Sequence, residues 1–501
     1  MNIKRAKEEI IDTIQSYLLK DEYGDYVIPV IHQRPVLLLG APGIGKTQIM
    51  EQIAAECGIA LVAYTITHHT RQSAIGLPFI TKENYGGTEH TITSYTMSEI
   101  VASMYRKMEK TGLSEGILFI DEINCVSETL APAMLQFLQY KSFGNHPIPE
   151  GWIIVAAGNP PEYNKSVRDF DVVTMDRVKK IEVEPELEAW KEYAYQAGIH
   201  PVVISYVSAK PQHFYKMETT VDGKFFATPR GWEDLSRLIQ VYEAMDKTVD
   251  REVVIQYIQH PEIAGDFANY LELSRRYQTD CQLDEVFAGN IPDLLIKKLS
   301  HASFDERVSL VGLIVSRCSQ AFRAFCEQEG FLQMLHPLLV EAKEALREPS
   351  QVRPEAYLKD LQERLRQEME REKKAELLSR SKTSLYRRTD AFLEALVMDE
   401  KLGESGEPFA VVRSHFDRVK EEYSLRYDTA GQTLEYAFDL LEAAFGTGQE
   451  IVLFLTEMNT NSWGLRFLEQ YECERYYRYN ASLLYEDRGR EILARIESLT
   501  P

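Results

Sequence analysis

No stretch of the 501-residue chain approaches the run of ~20 apolar residues that a bilayer-spanning helix needs, so membrane insertion is not expected. The N-terminus lacks a signal pattern as well. Met1-Asn2-Ile3-Lys4-Arg5 leads into an amphipathic spacing of Ile10, Ile11, Ile14, Tyr17 and Leu18, without an uninterrupted apolar segment or a small-residue cleavage site, and reads as a helix packing on the first domain. Cysteine is sparse and scattered. Cys57, Cys125, Cys281, Cys318, Cys326 and Cys473 form no C-x-x-C pair and have no histidine at ligand spacing, which points to reduced thiols in the cytoplasm. The adjacent His68 and His69 point to opposite faces of an extended segment and are not expected to share a metal. Positive charge is also short: 56 Lys and Arg face 77 Asp and Glu, a formal net charge of −21. Affinity for phosphate backbones comes chiefly from Lys and Arg, so a nucleic-acid partner is not expected and a protein partner is. No internal repeat is evident.

What the chain does have is one glycine-rich turn in the right setting. Gly40-Ala41-Pro42-Gly43-Ile44-Gly45-Lys46-Thr47 fills every position of the phosphate-binding loop pattern G-x-x-x-x-G-K-[ST]. Gly40, Gly43 and Gly45 permit a tight turn that aims backbone N–H groups at phosphate oxygens. Lys46 supplies a mobile charge for the β- and γ-phosphates, and Thr47 offers a hydroxyl to Mg²⁺. The apolar run Pro35 to Leu39 precedes the loop as a buried strand, and Gln48 to Ala55 follows with helical spacing, its N-terminal dipole end facing the same place. A nucleoside triphosphate, ATP, is therefore the first ligand expected, held by residues 40–48 through Gln48.

A second element fits the first. Ile117-Leu118-Phe119-Ile120-Asp121-Glu122 is an apolar strand ending in two carboxylates, so Asp121 can hold Mg²⁺ while Glu122 polarises an attacking water. At the end of the next apolar run, Ala157-Gly158-Asn159-Pro160 puts an amide where it can orient that water.

Strand-like runs at 59–64, 116–120, 152–157 and 180–183 alternate with helical patterns at 98–105 and 130–138, which implies a parallel α/β sheet with helices on both faces. From Pro185 onward the pattern is helical almost throughout. Helices are expected from Leu187 to Ala197, from Pro201 to Ser208, and from Pro229, with Thr228 as N-cap. The expected domains are 1–185, an α/β nucleotide-binding domain with an N-terminal helix; 186–260, a helical lid; and 261–501, a largely helical region of unassigned role. Residues 347–354 and 402–408 are candidate linkers. Tyr357 to Leu378, with both charge signs alternating, reads as a solvated helix or short coiled coil. Phe438 to Phe445 and Ile451 to Phe454 supply apolar surface for a C-terminal core.

With these motifs in order, residues 30–250 resemble the P-loop AAA+ ATPases, and within them the MoxR-like, dynein-related branch. Asp121-Glu122-Ile123-Asn124 followed by Leu130-Ala131-Pro132-Ala133-Met134-Leu135 is similar to the D-E-I-N-R-A-P-P…L-L-E-A-M segment of MoxR proteins, although Cys125 stands where that family usually has Arg and Val126-Ser127 replace part of the small-residue turn. The resemblance implies that Asn159 acts as sensor 1. It makes Arg177, in Asp176-Arg177-Val178, the arginine finger reaching a neighbouring subunit's γ-phosphate, with Arg168 as the alternative, and it brings Arg230, in Ala227-Thr228-Pro229-Arg230, to phosphate from the lid. It implies a homo-oligomeric ring, commonly a hexamer, and a protein client or adaptor such as a von Willebrand factor A-type protein. The segment from Thr70 to Tyr95 corresponds to an insert that faces the central pore in similar proteins, where Phe79 and Tyr85 serve either a client or the domain's own core. Lys141 to Pro149 resembles a shortened hairpin before sensor 1.

The resulting expectation is an Mg²⁺-dependent ATPase that remodels or matures a protein partner. The rival readings are a nucleic-acid-linked motor of the same superfamily, against which the acidic balance counts, and a non-catalytic nucleotide-gated scaffold, which has no need of Glu122 and Asn159.

Overall fold

The computed structural model is described for residues 1–66, 74, 76–143, 146–163, 170, 172–221, 223–280, 283–346, 353–404 and 407–482. The chain folds as two compact units: Met1–Glu186 with Leu365–Ser384, and Leu187–Arg364 with Leu385–Pro501.

The first unit is built on five parallel strands. They are β1 (Val36–Gly40), β2 (Ala60–Thr65), β5 (Gly116–Asp121), β8 (Trp152–Gly158) and β9 (Lys179–Val183), in the order β2-β5-β8-β1-β9. Every neighbouring pair is parallel, as the near-continuous apolar runs imply. Residues of alternate phase explain how both faces are covered. Leu37, Leu118, Ile120, Ile154 and Ala156 share one core with Ile100, Val101, Met104, Met134 and Phe137, from the helices Glu99–Thr111 and Ala131–Tyr140. The opposite phase, Val36, Leu38, Ile117, Phe119, Ile153 and Val155, is buried as completely. On that side α2 (Lys46–Cys57) packs on β2 and β5, and the amphipathic α1 (Ile3–Leu18) packs on α2 and β9.

Between β2 and the helix Glu99–Thr111 stands an antiparallel hairpin of β3 (Pro78–Tyr85) and β4 (Thr88–Tyr95). Phe79 and Tyr85 lie exposed on it, at 43% and 55%, so they are not part of the domain's core. The hairpin expected near residues 141–149 is present as β6 (Ser142–Phe143) and β7 (His146–Pro147).

The second unit is mainly helical, with one correction. The region after Pro185 is not helical throughout, because β10 (Lys216–Thr220) and β11 (Gly223–Ala227) form a hairpin between the helices Pro201–Ala209 and Pro229–Ala244. Its strands are five residues each and mostly exposed, without an alternating apolar face, a pattern that does not stand out in sequence. The helix Pro229–Ala244 starts as expected, with Thr228 Oγ1 accepting from Gly231 N at 3.2 Å. Trp190, Tyr206, Trp232 and Phe267 centre one core of this unit. Phe322, Phe325, Phe438, Phe454 and Phe467 centre another, where the helices Phe304–Ala345, Pro408–Phe445, Gln449–Thr460 and Ser462–Leu468 meet. The charged stretch after Tyr357 forms most of the helix Pro354–Lys374, whose second-unit part, up to Arg364, buries Leu358 and Leu361. Residues 347–352 and 405–406 of the two candidate linkers lie outside the described residues.

Candidate functional site

The strand order brings three loop ends together. β1 and β5 both flank β8, so the glycine-rich loop after β1, the acidic pair ending β5 and the Asn159 segment after β8 emerge side by side at the carboxyl edge of the sheet. The glycines of the loop divide their work. Gly43 and Gly45 take the left-handed φ values of 78° and 93° that a side chain would disfavour. Gly40 serves packing instead, because a Cβ there would lie 2.5 Å from the Val183 carbonyl oxygen of β9. Ile49 N donates to Gly45 O at 3.1 Å, so α2 grows directly out of the loop.

Lys46 is buried, and its ammonium donates to Gly40 O at 2.8 Å, Ala41 O at 2.8 Å and Asn159 Oδ1 at 2.9 Å. A buried ammonium with three acceptors is satisfied and held across the loop. Thr47 Oγ1 donates to Asp121 Oδ2 at 2.8 Å. Glu122 N donates to Asp121 Oδ1 at 2.9 Å, and Glu122 itself sits in the left-handed region at φ 57°. That backbone costs a non-glycine residue about 1–3 kcal/mol, and such outliers cluster at functional sites.

One supporting residue does not stand out as a site residue in the sequence. Asn124 Nδ2 donates to Asn159 O at 2.7 Å, and Asn124 Oδ1 accepts from Asn159 N at 3.3 Å. The side chain of Asn124 thus clamps the backbone whose own amide meets Lys46. Gly158 is small for the same reason, since a Cβ there would lie 2.7 Å from Asn124 Oδ1. The one signal in the sequence is an asparagine two residues after the acidic pair.

These residues fit a nucleotide with Mg²⁺. The loop backbone forms a cradle that side chains would fill, and a hydroxyl beside a carboxylate, Thr47 with Asp121, is a hard oxygen donor set suited to Mg²⁺. Ala41 and Ile44 are buried in the loop, Pro42 and Gln48 are half-buried, and Thr47 is exposed.

The two expected arginines are both exposed. Arg177 is exposed and donates to Gln139 Oε1, beside Thr174 and Gln136. Arg230 belongs to the second unit, exposed in the first turn of Pro229–Ala244. Arg168 lies outside the described residues, as do His68, His69 and Cys281.

A parallel sheet with a P-loop after one strand and an acidic pair after another defines a P-loop nucleotide-binding domain. Residues 35–178 match the family model for the AAA domain, dynein-related subfamily, and this part of the chain is an AAA+ domain. No curated protein matches the chain. Among solved structures, one point mutant of RuvB from Thermotoga maritima is similar at 14% identity and a TM-score of 0.29, over 55% of this chain and 76% of that one. A second point mutant of the same protein is similar at 13% identity and a TM-score of 0.28, over 54% and 76%.

Proposed function

We propose that this protein is a Mg²⁺-dependent ATPase of MoxR-like character that couples ATP hydrolysis to the remodelling or maturation of a protein partner. The observation that carries the reading is the joined set of Lys46 with Asn159 and Thr47 with Asp121, with Glu122 next in the chain. Mg²⁺ bound at Thr47 and Asp121 would neutralise charge on the phosphate oxygens. Lys46 exchanges carbonyl acceptors for phosphate oxygens, the loop N–H groups at residues 40–48 orient the chain of phosphates, and the Glu122 carboxylate takes the proton of the attacking water that Asn159 positions. Arg177, exposed on the first unit, serves the γ-phosphate of a neighbouring copy in a ring, a hexamer on the family resemblance, and Arg230 approaches phosphate from the second unit. The client or adaptor is a protein, with a von Willebrand factor A-type partner as the expectation from that resemblance. The cytoplasm is the proposed location; no helix among the described residues is long and apolar enough to cross a membrane.

Mg²⁺-dependent ATP hydrolysis measured against protein concentration tests the reading. Turnover rising steeply with concentration, and falling by about 100-fold or more in Glu122→Gln and in Arg177→Ala, is the expected result. Absence of turnover at every concentration, with or without a protein partner, would instead favour a nucleotide-gated scaffold.

A further inference from the structure

Arg177 is exposed, yet its backbone is fixed. Arg177 N donates to Thr174 O at 3.1 Å, while Met175 before it and Val178 after it pack into the core of the first unit, just ahead of β9. The side chain has no such enclosure. It borders a cavity of about 290 Å³ between the helix Ala131–Tyr140 and residues 174–178. An arginine left to sample its rotamers carries about 2 kcal/mol of conformational entropy, which has to be given up each time the guanidinium is used.

One contact does this ordering beforehand. Gln139 Oε1 accepts from Arg177 Nη1. Gln139 is itself placed by its helix: Phe137 and Leu138 just before it are buried, Phe137 stacks on Phe143 with ring centres 4.0 Å apart, and Lys141 N closes the helix on Phe137 O at 2.8 Å. A half-buried amide at a well-packed helix end thus holds the tip of an exposed side chain.

The chemistry of the acceptor matters as much as its place. Elsewhere in the chain Arg237 and Arg364 meet the carboxylates of Glu233 and Glu341, which offset the charge they hold. An amide bonds the guanidinium and leaves its charge in place. A neutral acceptor of this kind contributes only about 1 kcal/mol net, which a charge-assisted bond to a phosphate oxygen readily replaces. The other polar groups lining the cavity, Gln136 and Thr174, are uncharged as well.

We propose that Gln139 is a positioning residue for the nucleotide site of the neighbouring copy: it pre-orders the Arg177 guanidinium that one subunit presents to the next. The proposal rests on the reading of Arg177 as a residue that acts across a subunit boundary.

ATP turnover of the full chain tests it with Gln139→Met, which keeps the side chain's length and removes the acceptor, beside Arg177→Ala and Glu122→Gln. Gln139→Met is expected to lower turnover by about 10-fold while nucleotide affinity stays within about twofold, and to cost nothing further in the Arg177→Ala background. Co-expression of two variants under different tags separates placement from folding. A Gln139→Met copy keeps its own Glu122, and a Glu122→Gln copy keeps a held Arg177, so random assembly unites the two in about a quarter of the sites of a ring. Turnover is then expected several-fold above the mean of the two variants assayed singly, and Arg177→Ala co-expressed with Glu122→Gln should recover likewise. Wild-type turnover in Gln139→Met beside loss in Arg177→Ala overturns the proposal and leaves the reading of Arg177 standing. So does a further loss on adding Gln139→Met to Arg177→Ala, or a loss in Gln139→Met that Glu122→Gln fails to rescue although it rescues Arg177→Ala. Failure of Glu122→Gln to rescue Arg177→Ala overturns the reading and the proposal together.

Discussion

Replacing Asn124 with alanine removes both hydrogen bonds that fix the Asn159 backbone, while leaving the phosphate loop, Thr47 and Asp121 untouched. Hydrolysis is expected to fall by about 10- to 100-fold with little change in nucleotide affinity, a split that turnover and equilibrium binding measurements separate. Lys141 offers a second test at this scale. Its ammonium is buried, donates to Val30 O at 2.6 Å, and has its pKa pushed by desolvation down to about 8. The folded form therefore binds this proton less tightly than the unfolded form, and unfolding takes up a proton between about pH 8 and the usual lysine range near 10.5. Stability contributed by this group rises with pH across that window. Other groups titrate there too, so the measurement is a difference: the urea midpoint of the wild type should gain on that of Lys141→Met as pH rises from about 8 to about 10. Both residues show why the site was only partly legible. Lys46, Thr47, Asp121 and Glu122 announce themselves because their spacing is contiguous, whereas Asn124, though it follows the acidic pair, acquires its role from a partner 35 positions away, which its place beside that pair does not reveal.

Elements were easier to read than their packing. The five parallel strands follow from apolar runs punctuated by loops, and the start of Pro229–Ala244 from Thr228 and Pro229, because period and capping are local properties. The hairpin of β10 and β11 escapes a sequence reading because its strands are short and mostly exposed, giving no apolar face to count. Gly40 shows the same limit. Its place in a loop motif suggests a turn, yet its constraint is the carbonyl of a neighbouring strand. Gly40→Ala is accordingly expected to destabilise the first unit by about 1–3 kcal/mol, because β1 and β9 must part to admit the methyl group; thermal unfolding without nucleotide measures this apart from any effect on binding.

At the scale of the whole molecule, the second unit is stapled by a buried ion pair between residues 266 positions apart. Lys191 and Glu457 have side chains only 2% and 6% exposed, with Tyr195 completing the carboxylate's bonds. Glu457→Leu leaves a buried ammonium with only the exposed Glu188 nearby, and is expected to cost about 3–5 kcal/mol, most of it recovered by adding Lys191→Met; urea unfolding of the single and double variants checks both statements. The chain's path through the first unit has a different consequence. Lys107 and Lys110 both hold the carboxylate of Glu376, the latter at 2.7 Å, and the segment Leu365–Ser384 belongs to the same unit as the phosphate loop. A ribosome therefore releases the P-loop sheet long before it supplies the last piece of that unit. Truncation after Glu186, the natural place to cut by sequence, yields a sheet with its motifs intact and these two lysines deprived of their carboxylate. Expression of the nucleotide-binding half by itself should be judged with that missing turn in mind.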